Sequence, residues 1–228
     1  MSSSAGTARR ISWNRWTSWD TTAGQAERRG TEAEAGPVRR LRRAERREQI
    51  LDAATRAFDR SGFAATSLDD VAAEAGITRV ILYRHFESKA GMYRAVLDRA
   101  CTRLASMVGT GDYGGDAVAV LVRAAAADPG GFRLLFRHAA REPEFRDQAD
   151  ALTAASAEVA RRDLARQIPA GPWLEWAARL VPAVAIEAVI AWLDAGQPDP
   201  GHAAERIGQV IQGAIQAAQP QEQGQPSR

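Results

Sequence analysis

Among 228 residues the chain has one cysteine, Cys101, and one lysine, Lys89. A single thiol excludes an intramolecular disulfide and fits a reducing compartment, so a cytoplasmic location is expected. Cys101 falls on the inner side of a predicted helix, where an inert buried thiol is expected; a redox sensor needs exposure and a lowered pKa. Histidine is also scarce, at three residues. His138 and Glu142 lie four apart, but two ligands without a third do not make a metal site. No metal or cofactor is expected. The chain lacks a Walker loop, a nucleophile elbow, a zinc-protease helix and a defensible pair of catalytic carboxylates. An enzyme is therefore not expected, and no catalytic residue is assigned. No uninterrupted run of about 18 apolar residues occurs and the first residues lack a signal peptide's apolar stretch, so no membrane partner is expected. Strand-like alternation is missing throughout, which leaves an all-α fold.

All basic residues other than Lys89 are arginines, which reads as a coding bias and makes arginine counts weak evidence. Their placement says more. Residues 1–100 hold 18 basic and 13 acidic side chains, whereas residues 101–228 hold 12 and 15. Positive charge is densest at Arg39, Arg40, Arg42, Arg43, Arg46 and Arg47. Such an arm suits phosphates or a narrow minor groove. Residues 1–38, rich in Ser, Thr, Gly, Ala and charge, are expected to be disordered. Trp13, Trp16 and Trp19 recur every third residue there, either as a short amphipathic patch that docks on the body or a partner or as a fortuitous spacing, since they offer too little apolar surface to order so polar a tail. The Gln/Pro-rich tail 220–228 is expected to fray. Gly109, Gly111 and Gly114 match a dinucleotide-loop spacing, but they follow a helix rather than a strand and are predicted to form an interhelical loop.

Residues 66–89 carry the most information. Ser67 and Asp70 form a predicted capping box. Leu68, Val71, Ala72 and Ala75 then recur as one buried stripe, and Gly76 supplies the left-handed turn that ends it. Thr78 is the predicted N-cap of a second short helix. In that helix Leu82 and Phe86 face inward, while Arg79, Val80, Tyr83 and Arg84 face outward. Ser88 caps a long third helix. Lys89, in its first turn, opposes the helix dipole, an arrangement better explained if Lys89 faces a phosphate. Upstream, residues 45–61 form an amphipathic helix with Ile50, Ala54, Ala57, Phe58 and Ser61 inward and Gly62 at its end. Two helices joined by a short glycine turn make the motif that sets its second helix in the DNA major groove. Arg79 is the candidate for reading guanine, with Val80 and Ile81 placed for thymine methyls. Arg42, Arg43, Ser67, Thr78, Tyr83, Arg84, His85 and Lys89 complete the candidate DNA face.

Residues 45–97 resemble the DNA-binding domain of the TetR family of transcriptional regulators. The resemblance rests on Ile50, Ala53, Ala54, Phe58, Gly62, Phe63, Thr66, Ser67, Asp70, Val71, Ala72, Ala75, Gly76, Ile77, Thr78, Leu82, Tyr83, His85, Phe86, Ser88 and Lys89. It implies a homodimer with a helix-turn-helix at each N-terminal end and a divergent C-terminal domain that binds a small effector. The usual case in that family is a repressor. Val80 and Ile81 depart from it, standing where small or hydroxyl-bearing residues are common; Gly91 stands where an acidic one is. The alternative is a helical interaction module with a lapsed DNA motif; a helical enzyme that kept the fold is a further reading.

The resulting architecture is an N-terminal three-helix DNA-binding domain with its basic arm (39–90) and a C-terminal helical effector-binding and dimerisation domain (91–219). Helices are predicted near 88–108, 116–127, 130–140, 143–167, 172–195 and 202–218. The helix near 172–195 is apolar around its whole circumference, which requires burial on more than one side. It is expected to pair with the last helix and their symmetry mates, through Val184, Ala188, Ala191, Trp192, Ile207, Val210, Ile211 and Ala214. Leu104, Met107, Phe132, Phe136, His138, Phe145 and Trp176 are the candidate lining of an effector pocket between helices 88–108 and 143–167. That lining suits a hydrophobic or aromatic ligand. The expected partners are thus a palindromic double-stranded DNA operator, a small effector and a second copy of the chain.

Overall fold

The computed structural model describes residues 37–108 and 116–219, with side chains from Arg43 onward. Trp13, Trp16 and Trp19, the glycine string at 109–114, the tail 220–228 and the side chains of Arg39, Arg40 and Arg42 lie outside this range. Among the described residues every regular element is helical.

Helix α1 spans Pro37–Ala65. It begins well before residue 45, so the basic stretch from Arg39 is part of a helix and not an extended arm. Proline at the first position fits, because its missing N–H would have had no partner there. Ile50, Leu51, Ala53, Ala54, Ala57 and Phe58 form its buried face. Ser61, expected on that face, is exposed. Gly62 leaves helical geometry at φ 76° and ψ 171°. The last turn of α1 is secured by Thr66, whose hydroxyl donates to the Gly62 carbonyl at 2.7 Å.

Helix α2 (Leu68–Glu74) opens on the expected box: the Asp70 N–H donates to Ser67 Oγ at 3.1 Å, and the Ser67 N–H donates to Asp70 Oδ2 at 2.8 Å. Gly76 at φ 64° reverses the chain, while the Ile77 N–H reaches the Ala72 carbonyl at 3.0 Å. Helix α3 (Arg79–Tyr83) follows. Thr78 holds the N-cap position with extended backbone but makes no capping bond through its side chain. Leu82 and Phe86 are buried, as the spacing predicts. Helix α4 (Lys89–Val108) starts where Ser88 Oγ accepts the Gly91 N–H at 2.9 Å.

Helix α4 crosses position 90 without a break, and its buried residues Met92, Tyr93, Val96, Leu97 and Ala100 share one core with α1. An aromatic cluster closes that core. Tyr93 meets Phe58 edge to face with centroids 4.9 Å apart, and Phe145 lies 4.6 Å from Tyr93 and 5.2 Å from Phe63.

Beyond α4 come α5 (Ala117–Ala127) and the short α6 (Pro129–Arg133). One π-helical turn (Leu134–His138) and two 3₁₀ turns (Ala139–Arg141, Pro143–Phe145) then follow, where regular helices are predicted near 130–140 and from 143. Helices α7 (Arg146–Leu164), α8 (Pro172–Asp194) and α9 (Ala203–Ala218) complete the body. Helix α8 has 23 residues and an 18-residue stretch with a mean hydropathy of 1.6, long and apolar enough to cross a bilayer by length and composition. A core helix meets the same test, and α8 packs against α5, α6, α7 and α9.

Three residues expected at a dimer interface instead belong to the core of the chain itself. Trp192, Ile207 and Ile211 pack with Val122, Ala125 and Phe132 in one cluster. The Trp192 indole N–H is satisfied by the Pro198 carbonyl at 2.9 Å. Ile207 and Ile211 of α9 thus find their partners within the same molecule, where α9 packs on α5 and α8.

Candidate nucleic-acid interface and effector cleft

Inward burial of Leu82 and Phe86 fixes the rotation of α3 and turns Arg79, Val80, Tyr83 and Arg84 to solvent. Val80 is 64% exposed. Ile81 and His85 are half-buried. Arg79 is held on both sides. Its Nη1 lies 3.0 Å from Asp69 Oδ2 and its Nη2 donates to the Tyr83 hydroxyl at 3.1 Å. Its guanidinium carbon stands 5.4 Å from the centre of the Tyr83 ring.

The first described turns of α1 add charge beside this face. Arg47 lies over the Phe86 ring at 5.1 Å. His85 is held below its ordinary pKa, first by burial and then by the guanidinium groups of Arg43, Arg47 and Arg46. These three arginines are therefore near enough to act on His85, just past the end of α3. Arg43, Arg46 and Arg47 are exposed, as are Arg79, Val80, Tyr83 and Arg84.

Lys89 does not stand free to meet a phosphate. Its ammonium donates to the Phe63 and Ala64 carbonyls at 2.9 and 3.3 Å and lies 4.5 Å from the centre of the Phe63 ring. The last turn of α1 presents unpaired carbonyls, and a cation there is favourable on both hydrogen-bond and dipole grounds. That contact explains a lysine in the first turn of α4 without DNA. Ser67 is likewise engaged: its hydroxyl donates to Asp70 Oδ2 at 2.7 Å.

The same α1 carries a polar stripe, Glu48, Asp52, Thr55 and Asp59, that ties it to the body. Arg99 of α4, only 10% exposed, reaches Asp52 at 2.7 Å, Glu48 at 3.3 Å and the Thr55 hydroxyl at 2.8 Å. Arg103, one turn on, bonds Asp128 at 3.3 Å. Arg133 of α6 bridges Asp59 of α1 at 3.0 Å and Asp194 of α8 at 2.8 Å. His138 Nε2 stands 3.7 Å from Asp59 Oδ1. Burial pushes the Asp59 carboxyl above its ordinary value despite Arg133 and His138. No motif marks these residues. The available signal is the spacing of the stripe, four, three and four residues, opposite Arg99 and Arg103 at a spacing of four.

A cleft of about 200 Å³ opens between α4, α5 and α6. Leu104, Met107 and Phe132 line it as expected, joined by Ala124, Leu135 and the polar Arg103, Ser106 and Asp128. The other expected lining residues are elsewhere. Phe136 packs on Phe132 with centroids 4.7 Å apart but does not line the cleft. His138 faces Asp59, Phe145 is enclosed in the aromatic core, and Trp176 is exposed against Trp173. Between α4 and α7, where the pocket is expected, there is a cavity of about 30 Å³, the size of a water site. Cys101 borders it, and burial raises its thiol pKa, as for an unreactive structural cysteine.

Residues 50–96 match the family model described as bacterial regulatory proteins, tetR family. The helix-turn-helix unit belongs to the TetR family. The TetR-like transcriptional regulator of Rhodococcus sp. RHA1 superposes with a TM-score of 0.64 at 21% identity, covering 76% of this chain and 97% of that one. A complex of SmeT with triclosan gives a TM-score of 0.55 at 22% identity, covering 81% and 98%. In sequence, the transcriptional activator FasR of Mycolicibacterium smegmatis is 45% identical over 89 residues. That match spans 38% of this chain and 41% of FasR.

Of the other residues expected at an interface between copies, Ala188 packs against the core of the chain itself. Val184, Ala188 and Ala214 are half-buried, and Ala191 and Val210 are exposed.

Proposed function

We propose that the chain is a homodimeric, sequence-specific DNA-binding regulator of transcription, acting in the cytoplasm at the nucleoid. The observation that carries this reading is the exposed face of α3, with an ordered Arg79 at its centre and Arg43, Arg46 and Arg47 at its edge. Arg79 reads guanine through O6 and N7, and Val80 packs on a thymine methyl, with half-buried Ile81 behind it. Thr78, Arg84 and the arginines of α1 fix register on phosphates, with Tyr83 and His85 at the rim. Two such helices in a dimer joined through Val184, Ala188, Ala191, Val210 and Ala214 would read half-sites ~34–36 Å apart, or a small multiple of that spacing.

The cleft between α4, α5 and α6 takes a small hydrophobic or aromatic effector. Its apolar walls support that class, as does the fold shared with the triclosan complex of SmeT. The effector acts only through a difference in affinity between the DNA-bound and DNA-free arrangements. Its walls include Arg103 and Asp128, and Phe132 precedes Arg133, so occupancy would bear on the ion pairs that hold α1. The proposed sense is repression relieved by the effector.

The test is a titration of the full chain onto fragmented genomic DNA, with triclosan as the effector probe. Retention of discrete fragments at two chains per site, weakened by the probe, is the expected result. Retention of all fragments alike, or of none, would leave a protein-interaction role for a lapsed motif.

A further inference from the structure

Resting on the reading of Arg79 as the base-reading group, we infer that Asp69 determines the sequence specificity of this protein. Its carboxylate holds the Arg79 guanidinium across the Tyr83 ring, in one orientation.

Neither side chain is held by burial. Arg79 is 58% exposed and Asp69 61%, so the order at this site comes from contacts alone. Asp69 Oδ2 takes Nη1 at 3.0 Å, the Tyr83 hydroxyl takes Nη2 at 3.1 Å, and the ring lies beneath the plane at 5.4 Å. A guanidinium has five N–H donors; two are used here, and guanine needs two of the remaining three. The arginine thus keeps its reading capacity while losing the freedom to swing onto a neighbouring phosphate.

Asp69 has no comparable duty elsewhere. Its neighbour Asp70 is committed to the capping box with Ser67. Asp69 takes no part in that box, and its carboxylate pairs with Arg79. A carboxylate on a face that meets phosphates weakens binding to every sequence. It is explained if it gains discrimination in return. The competing account is helix stabilisation, since Asp69 also lies in the first turn of α2, where an acidic group favours the dipole.

The two accounts differ in sign. The experiment uses the full chain, a duplex selected from a random pool, its single-base-pair variants and a scrambled duplex. Arg79→Ala first locates the base pair that Arg79 reads. There the wild type should discriminate by roughly five- to hundredfold. Asp69→Ala and Asp69→Asn should lose most of that discrimination at that pair and keep it elsewhere. Both should bind the scrambled duplex more tightly, with a salt slope steeper by about 0.9, the equivalent of one added phosphate contact. Unchanged discrimination in both variants overturns the inference. So does uniform weakening on every duplex with a fall in melting temperature, which is the signature of a helix-stabilising role. If the wild type selects no sequence, the DNA-reading proposal fails by itself and takes this inference with it, a result visible before any variant is made.

Discussion

Asp59 of α1 and Arg133 of α6 are joined at 3.0 Å across the contact between the helix-turn-helix unit and the helical body. The two side chains are 22% and 20% exposed. Removing one partner from a poorly solvated pair leaves the other charge uncompensated. Burial already disfavours the Asp59 carboxylate, so the two halves of the pair are not equivalent. Arg133→Met should cost about 2 kcal/mol, below the range for fully buried pairs because this one retains some solvent. Asp59→Asn should cost clearly less, and adding it to Arg133→Met should recover part of the loss. Urea unfolding of the three variants checks this; equal and additive costs would mean that the pair is solvated and contributes little.

Phe145 belongs to the core and not to a ligand site. Phe145→Ala should destabilise the chain by about 3–5 kcal/mol, the range for emptying a buried aromatic position. Trp176→Ala, at an exposed position, should change monomer stability by less than about 1 kcal/mol. Comparable losses in the two variants would return Phe145 to the surface of a cavity.

The Tyr93 hydroxyl is buried without a hydrogen-bond partner among the described residues. An unsatisfied buried hydroxyl costs free energy, and its removal leaves no donor or acceptor stranded. Tyr93→Phe is expected to raise stability or leave it unchanged, with a gain of up to about 1 kcal/mol. A clear drop in melting temperature would reveal a bound water that the hydroxyl holds.

Two histidines give stability an acid limb well above the carboxylate range. His138 is held below the ordinary value of 6.5, first by burial, with Asp59 opposing and Arg141, Arg137 and Arg133 adding to the effect. His85 is lowered by burial and by Arg43, Arg47 and Arg46. A folded pKa below the unfolded one means that the unfolded chain binds more protons. The stabilisation is complete above about pH 6.5 and is lost as pH falls through the folded values. His202, raised by Asp199, works in the opposite direction. Melting temperature should therefore fall between pH 7 and pH 5.5, and the paired substitution His85→Gln and His138→Gln should flatten that fall. An unaltered slope in the double variant would assign the acid limb to other groups.

The parts of the fold that were legible in the sequence are those fixed by local chemistry. The Ser67–Asp70 box, the Gly76 reversal and the inward pair Leu82 and Phe86 each depend on residues within a few positions of one another. Partnerships between distant segments were not legible. Apolar spacing marks Ile207, Ile211 and Phe145 for burial, but it does not say that α9 meets α5 or that Phe145 joins the aromatic core of α1 and α4. The cleft was displaced for the same reason: apolar spacing does not say that Leu104 and Met107 open toward α5 and α6 and not toward α7. Lys89 shows the limit for polar groups. Its position in a first helical turn points to an anion, and the nearest negative charge density is the carbonyl end of α1.

In vitro selection of duplexes from a random pool by the full chain, repeated across salt concentrations, tests the central claim most directly. A palindromic consensus with half-sites one helical turn or a small multiple apart, bound with a steep salt dependence, is the expected result. Binding that depends on salt but not on sequence, or no enrichment at all, would contradict it.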